Sequence, residues 1–358
     1  MYGVLTYNLC SFATSSYKCN GDIDNFNSFV LKEEKQMKSV SVVMCTYNGA
    51  KYLKEQIESI IAQTYPLKEI IIQDDGSTDE TCDIAKEYAT RYSNLVVCSN
   101  EGEHGVNNNF LSAIRRATGD YIAISDQDDI WRSDKIEQQI SAIGNNLLCS
   151  HLYHAFSEEG KSLYLDTRLP NYNLLRLLYC AEIPGHTMLI RRSILDILPE
   201  NSDLYAYRCY DIILSVAAAA YNSIAYVELP LVNHRRYEDA YSYTDGKETR
   251  ATAYNAIRIL WWSIKYYRRI KHLSLPNYQR LHTFLQCIGS EQNIKYEGMR
   301  MLELQMSFHP LDFLRLQRFC IRHRREIFHT KETGLRAVIR ALLFPIMSGY
   351  YQRLLITS

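Results

Sequence analysis

Carboxylates that follow short apolar runs are the residues of this chain best suited to chemistry. Tyr121, Ile122, Ala123 and Ile124 form an apolar run of buried-strand type, and it leads directly into Asp126, Asp128 and Asp129. Three carboxylates so placed repel one another and lose hydration unless a cation or hydrogen-bond donors compensate them. A hard divalent ion does this with oxygen ligands and keeps positions open for substrate phosphates. Two readings stand at this point: a metal–diphosphate site, or a solvated acidic turn before a helix expected from about Ser133. Two more polar clusters follow apolar runs, Thr46-Tyr47-Asn48 after Ser39–Cys45 and Asp74-Asp75 after Glu69–Gln73.

The elements that position these clusters alternate regularly. Ser39–Cys45 has the β-branched character of a strand buried on both faces, Glu69–Gln73 and the run after Asp120 read as further buried strands, and Leu95–Cys98 reads as another strand. Between them, Leu53, Ile57, Ile60 and Ile61 recur at helical spacing, as do Cys82, Ala85, Tyr88 and Tyr92, then Phe110, Leu111, Ile114 and Ala117. Ser77 and Glu80 have capping-box spacing. The β-α-β-α-β-α-β order predicts an α/β, doubly wound, mostly parallel, Rossmann-like sheet, whose strand ends can converge on one crevice. Further on come a helix with Ile136, Ile140 and Ile143, a strand over Leu147–Phe156, and Gly185-His186-Thr187. A buried helix over Ile212–Ala220 starts beside Asp211, and a strand over Ile224–Glu228 precedes His234, Arg235 and Arg236. His151 and His154 read as structural. Neither G-x-G-x-x-G nor G-x-x-x-x-G-K-[ST] occurs, so a bound nucleotide must be gripped by carboxylates and a cation rather than by a glycine-rich loop.

Composition bounds the class. With 358 residues, 47% hydrophobic and 22% charged, the chain is an ordinary globular protein. Its zero net charge hides an asymmetry, because residues 251–358 hold 17 Lys and Arg against 6 Asp and Glu. A basic tail of this kind meets something anionic. The 10 cysteines include no C-x-x-C pair and lie in apolar segments, which predicts reduced, buried thiols in a cytoplasmic protein and no zinc site. No run is long enough to span a bilayer. Residues 1–36 lack periodicity and signal-peptide features, so Met37 is expected to be the native start and 1–36 an extension.

The motifs V-V-M-C-T-Y-N-G, I-I-I-Q-D-D-G-S-T-D and G-D-Y-I-A-I-S-D-Q-D-D-I-W, in this order, resemble a family-2 glycosyltransferase of the GT-A fold. The resemblance covers roughly Ser39 to Ser242. It implies a GT-A domain over 37–245 and a basic, aromatic-rich helical appendage over 246–358. It also implies nucleotide contacts at Thr46, Tyr47 and Asn48, and a base-recognising carboxylate at Asp74 or Asp75. Asp126 would lie near the ribose and Asp128 on a Mn2+ or Mg2+ ion that bridges the diphosphate. Gly185, His186 and Thr187 would border the acceptor, with Asp211 as general base. Read without the resemblance, Asp211 is a plain helix N-cap. Many relatives have His in a Y-R-x-H segment, whereas here the register is His234-Arg235-Arg236-Tyr237, with Tyr at the His position. His234 is then either a metal or diphosphate ligand or a stacked loop residue, and Arg235 and Arg236 are candidate phosphate contacts.

The implied reaction is inverting, non-processive transfer of a sugar from a nucleotide-diphosphate donor to a glycan acceptor, lipid-linked in this reading. No Q-x-x-R-W signature of processive synthases occurs. D-Q-D-D-I-W resembles rhamnosyltransferases of bacterial surface polysaccharides. Two rivals are a non-catalytic nucleotide-sugar-binding protein of the same fold and a sugar-nucleotide pyrophosphorylase. Retention of Asp126, Asp128 and Asp211 speaks against the first, and the absence of a glycine-rich basic loop after the first strand against the second. In the tail, Ile257, Leu260, Ile264 and Tyr267 share one helical face, Arg258, Lys265, Arg268 and Arg269 the other, with Trp261 between. This is either a helix packed on the domain or one that docks on an anionic membrane surface at the inner face of the cell membrane. No nucleic-acid-binding motif is present. Glu238 and Asp239 are the next candidates for the base.

Overall fold

The computed structural model describes residues 37–157, 159–163, 169–180, 183–200, 202–237, 253–328 and 334–351. The expected extension 1–36 and the alternative carboxylates Glu238 and Asp239 lie outside these. Four strands, β1 (Val40–Thr46), β2 (Glu69–Asp74), β3 (Leu95–Ser99) and β4 (Tyr121–Ser125), alternate with helices α1 (Ala50–Ile61), α2 (Thr81–Arg91) and α3 (Val106–Arg116). Then follow β5 (Ile130–Trp131), α4 (Lys135–Ile143), β6 (Leu148–Ser157), β7 (Leu189–Arg191), α5 (Tyr210–Ala220) and β8 (Ile224–Arg236). They form one sheet of order β3-β2-β1-β4-β7-β6-β8-β5. The pairs among β1 to β4 are parallel and β6 pairs β8 in parallel, while β7 runs antiparallel to β4 and β6, and β5 antiparallel to β8. The expected mostly parallel α/β sheet is therefore present, completed by three antiparallel contacts.

Register decides where the polar clusters go. Thr46 lies opposite Asp74, Asp74 opposite Ser99, and Met44 opposite Ser125, so these strands end at one edge. The alternating side chains of β1 explain the layering. Val43 packs on one face with α3 and α5, and Val42 and Met44 pack on the other with Leu53, Ile57 and Ile60 of α1. The strand over Ile224–Glu228 is longer than its sequence pattern indicates. It passes through Pro230 to Arg236 because the register to β6 shifts around Leu152, and such an irregularity tolerates a proline that donates nothing to the ladder. The Ser77–Glu80 capping box does not form. Ser77 turns back to Asp74 and α2 starts at Thr81, with Glu80 at its N-cap making no side-chain bond.

Helices α6 (Ala253–Cys287), α7 (Asn293–Met306), α8 (Pro310–Arg322) and α9 (Leu335–Tyr351) share a core with the sheet: Tyr278, Leu281, Phe284, Met301 and Phe344 belong to the same apolar cluster as Ile122, Leu174 and Leu214. The face that α6 buries is carried by Ser263, Ile270, Ser274, Tyr278 and Leu281. Gly349 of α9 leaves no room for a Cβ against Ile270, so small residues set this close approach. Ile257 and Ile264 of the expected apolar face, and Trp261 at its border, are consequently exposed. Because the core is continuous, Phe284→Ala should cost about 3–5 kcal/mol. Calorimetry should show one transition at a lower Tm, and a separate melting step for the C-terminal helices would contradict the shared core.

Candidate active site

Asp129 lies at the centre of the site. It is 1% exposed and sits in the short connection between β4 and β5. Its Oδ1 accepts from His234 Nδ1 at 2.9 Å and from the Arg235 amide at 3.3 Å. Antiparallel pairing of Ile130 with Asn233 brings the two segments together. Its Oδ2 is buried without a hydrogen-bond partner and lies 3.8 Å from His186 Nδ1, which is 3.4 Å from Asp126 Oδ2. The two imidazoles stack at 4.4 Å, and the Tyr153 ring meets both edge-on. Burial works to raise the Asp129 carboxyl, but the imidazoles and the Arg235 amide outweigh it and hold it below the usual range. Burial likewise opposes charge on His234, and the bond to Asp129 and the nearby carboxylates reverse this and raise its pKa.

Asp128 has a different environment. Its Oδ2 accepts from Tyr237 Oη at 2.8 Å, and burial, then Asp126 and Asp129, push its carboxyl up to about 6. Arg235 is buried, its guanidinium ion-paired with Glu55, donating to the Asp128 carbonyl at 3.1 Å and lying over the Tyr52 and Phe156 rings. These contacts orient the loop, and they occupy the guanidinium that sequence alone offers to phosphate. His234 lies in β8, not in a loop.

The loops after β1, β2 and β4 are tied to one another. Gln127 clamps Tyr47, accepting from its amide at 2.9 Å and donating to its carbonyl at 3.1 Å. A Cβ on Gly49 would overlap the Gln127 side chain, so the clamp needs glycine there. Asn48, at φ +47°, takes the amide of Thr78 on its Oδ1 and donates its own amide to Ser77. Asp74 accepts from Thr46 Oγ1, the Gly76 and Ser77 amides and Ser77 Oγ, at 2.6 to 3.0 Å. Burial opposes its ionisation, and these donors hold it below the ordinary value. Asp75 accepts from Asn100 Nδ2 and the Gly105 amide, each at 2.7 Å, and meets His104. Tyr47 is 58% exposed.

On the opposite wall, Gly185, His186 and Thr187 form a 3-10 turn. A Cβ on Gly185 would overlap Tyr210 Oη, and the Tyr210 ring stacks on Phe110 at 4.2 Å. Thr187 is fully buried, bonded to Ser150 Oγ and the Pro184 carbonyl, each at 2.8 Å. Asp211 follows Tyr210 in the first turn of α5. The N-cap is Cys209, so Asp211 does not cap the helix, and its Oδ1 accepts from the Ile212 amide at 2.7 Å. Burial, opposed by that amide and reinforced by Asp126, lifts its carboxyl to about 6. Asp126, 3.4 Å from His186, raises the Asp211 carboxyl further, and His186 lowers it.

The chemistry of the donor set fits a divalent cation. Asp126, Asp129, His186 and His234 each offer one atom, all within 4.8 Å of one another. Sequence reasoning passed over Gln56 and Lys135. Gln56 is buried beside Leu53, Ile57 and Ile60, a polar residue at core spacing. With its amide oriented to suit its neighbours, it donates to the Asp129 carbonyl at 2.6 Å and accepts from Trp131 Nε1 at 3.0 Å. Lys135 is fully buried with Nζ 3.8 Å from the Trp131 ring centre and 3.0 Å from Gln139 Oε1, and burial brings it down to about 7.

A mostly parallel α/β sheet with carboxylates gathered at its strand ends is the architecture of a GT-A-like fold. The Glycosyl transferase family 2 model matches residues 41–198. An uncharacterized glycosyltransferase of Haemophilus influenzae is 30% identical over 167 residues, 45% of this chain and 66% of that protein. The dTDP-rhamnosyl transferase RfbG of Shigella flexneri is 34% identical over 159 residues, 42% of this chain and 55% of RfbG. Through this region the chain is similar to the family-2 glycosyltransferases. It spans less than two thirds of these relatives' lengths. Residues 1–349 of S. aureus TarS, in complex with UDP-GlcNAc, share the fold at a TM-score of 0.50 and 17% identity, over 88% of this chain and 92% of that one.

The raised Asp211 carboxyl has a consequence for stability. A carboxyl that holds its proton more tightly when folded contributes stability at low pH, and this is lost as pH rises from the unfolded value near 4 through about 6. Asp211→Asn should therefore raise Tm at pH 7–8 and leave it unchanged near pH 4. Scanning calorimetry at both pH values checks this, and an equal shift at both would contradict it.

Proposed function

We propose that this protein is an inverting, non-processive glycosyltransferase that moves a sugar from a nucleoside-diphosphate donor to a hydroxyl of a glycan acceptor. The observation that carries this reading is the pairing of two kinds of carboxylate in one crevice. One is a cluster suited to a cation. The other is a single carboxylate, Asp211, whose proton affinity lies near pH 6. Tyr47 offers a stacking surface for the base, while Thr46, Asn48, Asp74 and Asp75 shape the base end through the bonds that fix their loops. Asp126 reaches the ribose and diphosphate. A divalent cation, Mn2+ or Mg2+, held by the carboxylates and imidazoles of this cluster, would supply positive charge against the diphosphate leaving group. Gly185 and His186 border the acceptor. Asp211 takes the proton from the acceptor hydroxyl as it attacks the anomeric carbon, and one base with no second nucleophile gives inversion. The likeness to RfbG, a dTDP-rhamnosyl transferase, favours a deoxyhexosyl donor, and the likeness to TuaG of Bacillus subtilis, a putative teichuronic acid biosynthesis glycosyltransferase, favours a place in bacterial surface polysaccharide synthesis.

Asp211→Asn should reduce transfer by roughly 10²-fold or more while donor binding is kept. In the unaltered enzyme kcat/KM should fall tenfold per pH unit below about 6 and be level above, because the base works ionised. A panel of nucleotide sugars with a glycan acceptor tests this, and near-normal transfer by Asp211→Asn would refute the assignment.

The acceptor in this reading is lipid-linked, and the protein is peripheral at the inner face of the cell membrane. No described helix is long and apolar enough to cross a membrane. Support comes from α6, where Ile257, Trp261 and Ile264 are 58–68% exposed at i, i+4, i+7 spacing beside Arg258, Lys265 and Arg268. On α8, next to it through the Tyr267–Phe313 contact, Leu311 and Leu314 are exposed beside Arg315. Apolar side chains ringed by cations suit an anionic interface. Vesicles with anionic lipid should sediment the protein, salt should weaken this, and Trp261→Glu should abolish it. Equal binding to neutral vesicles would remove the electrostatic part of the proposal.

A further inference from the structure

We propose that the cation of this site is held by two imidazoles and two carboxylates, His186, His234, Asp126 and Asp129, and not by Asp128. The inference deepens the metal-dependent reading above and rests on it. Three independent observations converge. First, the four side chains present one donor atom each within 4.8 Å of one another, with Nδ1 of both histidines directed at the carboxylates over 2.9 to 3.8 Å. Adjacent and opposite ligands around an ion with bonds of about 2.0–2.2 Å have separations of this order. Second, Asp129 Oδ2 is buried and aimed at His186 with no hydrogen-bond partner. A native structure seldom leaves a buried carboxylate oxygen so, and a role as cation ligand accounts for it. Third, Asp128 has a partner of its own in Tyr237, whose hydroxyl satisfies Oδ2 at 2.8 Å.

The surrounding shell is built for such a role. Tyr153 packs edge-on against both imidazoles, fixing their planes, and the His234 strand is locked to the Asp129 loop by the β5–β8 ladder. Gln56 holds the Asp129 carbonyl from below. Ligands held by packing and hydrogen bonds of this kind need little rearrangement to bind. Asp126, 32% exposed, is the member that faces the crevice, so an ion here would present its open positions to the diphosphate. Two imidazole donors also set the preference among ions. Mg2+ favours oxygen ligands and water, whereas Mn2+ and Co2+ accept nitrogen, so Mn2+ should bind more tightly than Mg2+.

The test uses the full chain, Mn2+ and a nucleoside diphosphate, either UDP or dTDP, with pulsed EPR reading the nuclei bound to Mn2+. The expected result is modulation from two imidazole nitrogens. His186→Asn and His234→Asn should each remove one nitrogen and weaken Mn2+ by about tenfold or more, whereas Tyr237→Phe should leave both nitrogens in place. Bound Mn2+ with one nitrogen or none overturns the proposed ligand set, while the metal–diphosphate reading survives. Failure of Mn2+ to bind even with nucleotide overturns both. If a histidine variant misfolds, the nitrogen count of the unaltered protein still decides between this set and one built on Asp128.

Discussion

Mutual repulsion of carboxylates at the end of β4 is the constraint on which the site depends. Asp126, Asp128 and Asp129 fall within four residues, and one of them, Asp129, is fully withdrawn from water. Such an arrangement is stable only if positive or donor groups are delivered from elsewhere. The fold delivers them by bringing β8 beside β5, which sets His234 and the Arg235 amide against Asp129, and by closing the 185–187 turn, which adds His186. Tyr237 answers Asp128 in the same way. The proton affinities follow from these partners. Asp129 stays ionisable because imidazoles face it, while Asp128 and Asp211, with weaker compensation, are pushed up to about 6.

The same logic extends to the loops. A crevice assembled from several strand ends holds its shape only if the connections cannot drift independently. Here the Gln127–Tyr47 clamp joins the first to the third, and the Asn48–Thr78 and Thr46–Asp74 bonds join the first to the second. Much of the polar chemistry at the strand ends thus serves preorganisation. Preorganised dipoles and charges stabilise developing charge without reorganising at the moment of reaction.

The C-terminal helices contribute on two levels. They complete the core under α5, and so support the helix that carries Asp211. Their outward faces have the composition of an interface, with isoleucine, leucine and tryptophan set among arginine and lysine. Catalytic and interfacial roles would then be linked by a single continuous hydrophobic core.

The amino-acid sequence by itself determined the layered α/β architecture, because runs such as Ser39–Cys45 and Tyr121–Ile124 are buried on both faces and admit little but a central parallel strand. It also determined that carboxylates would gather at the carboxyl edge, since each cluster directly follows its strand. Tertiary structure decided what each carboxylate does. Asp74 and Asp75 look alike in sequence, and only packing gives the first to Thr46 and Ser77 and the second to Asn100 and Gly105. Asp128 and Asp129 are neighbours, yet one meets Tyr237 and the other His234. Arg235 is a candidate for phosphate in one dimension and becomes a strut between Glu55 and the Asp128 carbonyl in three. The reason is physical. Hydrophobic periodicity is local and survives in a one-dimensional reading, whereas the partners of a buried polar group lie up to 180 residues away and are chosen by how the strands pack.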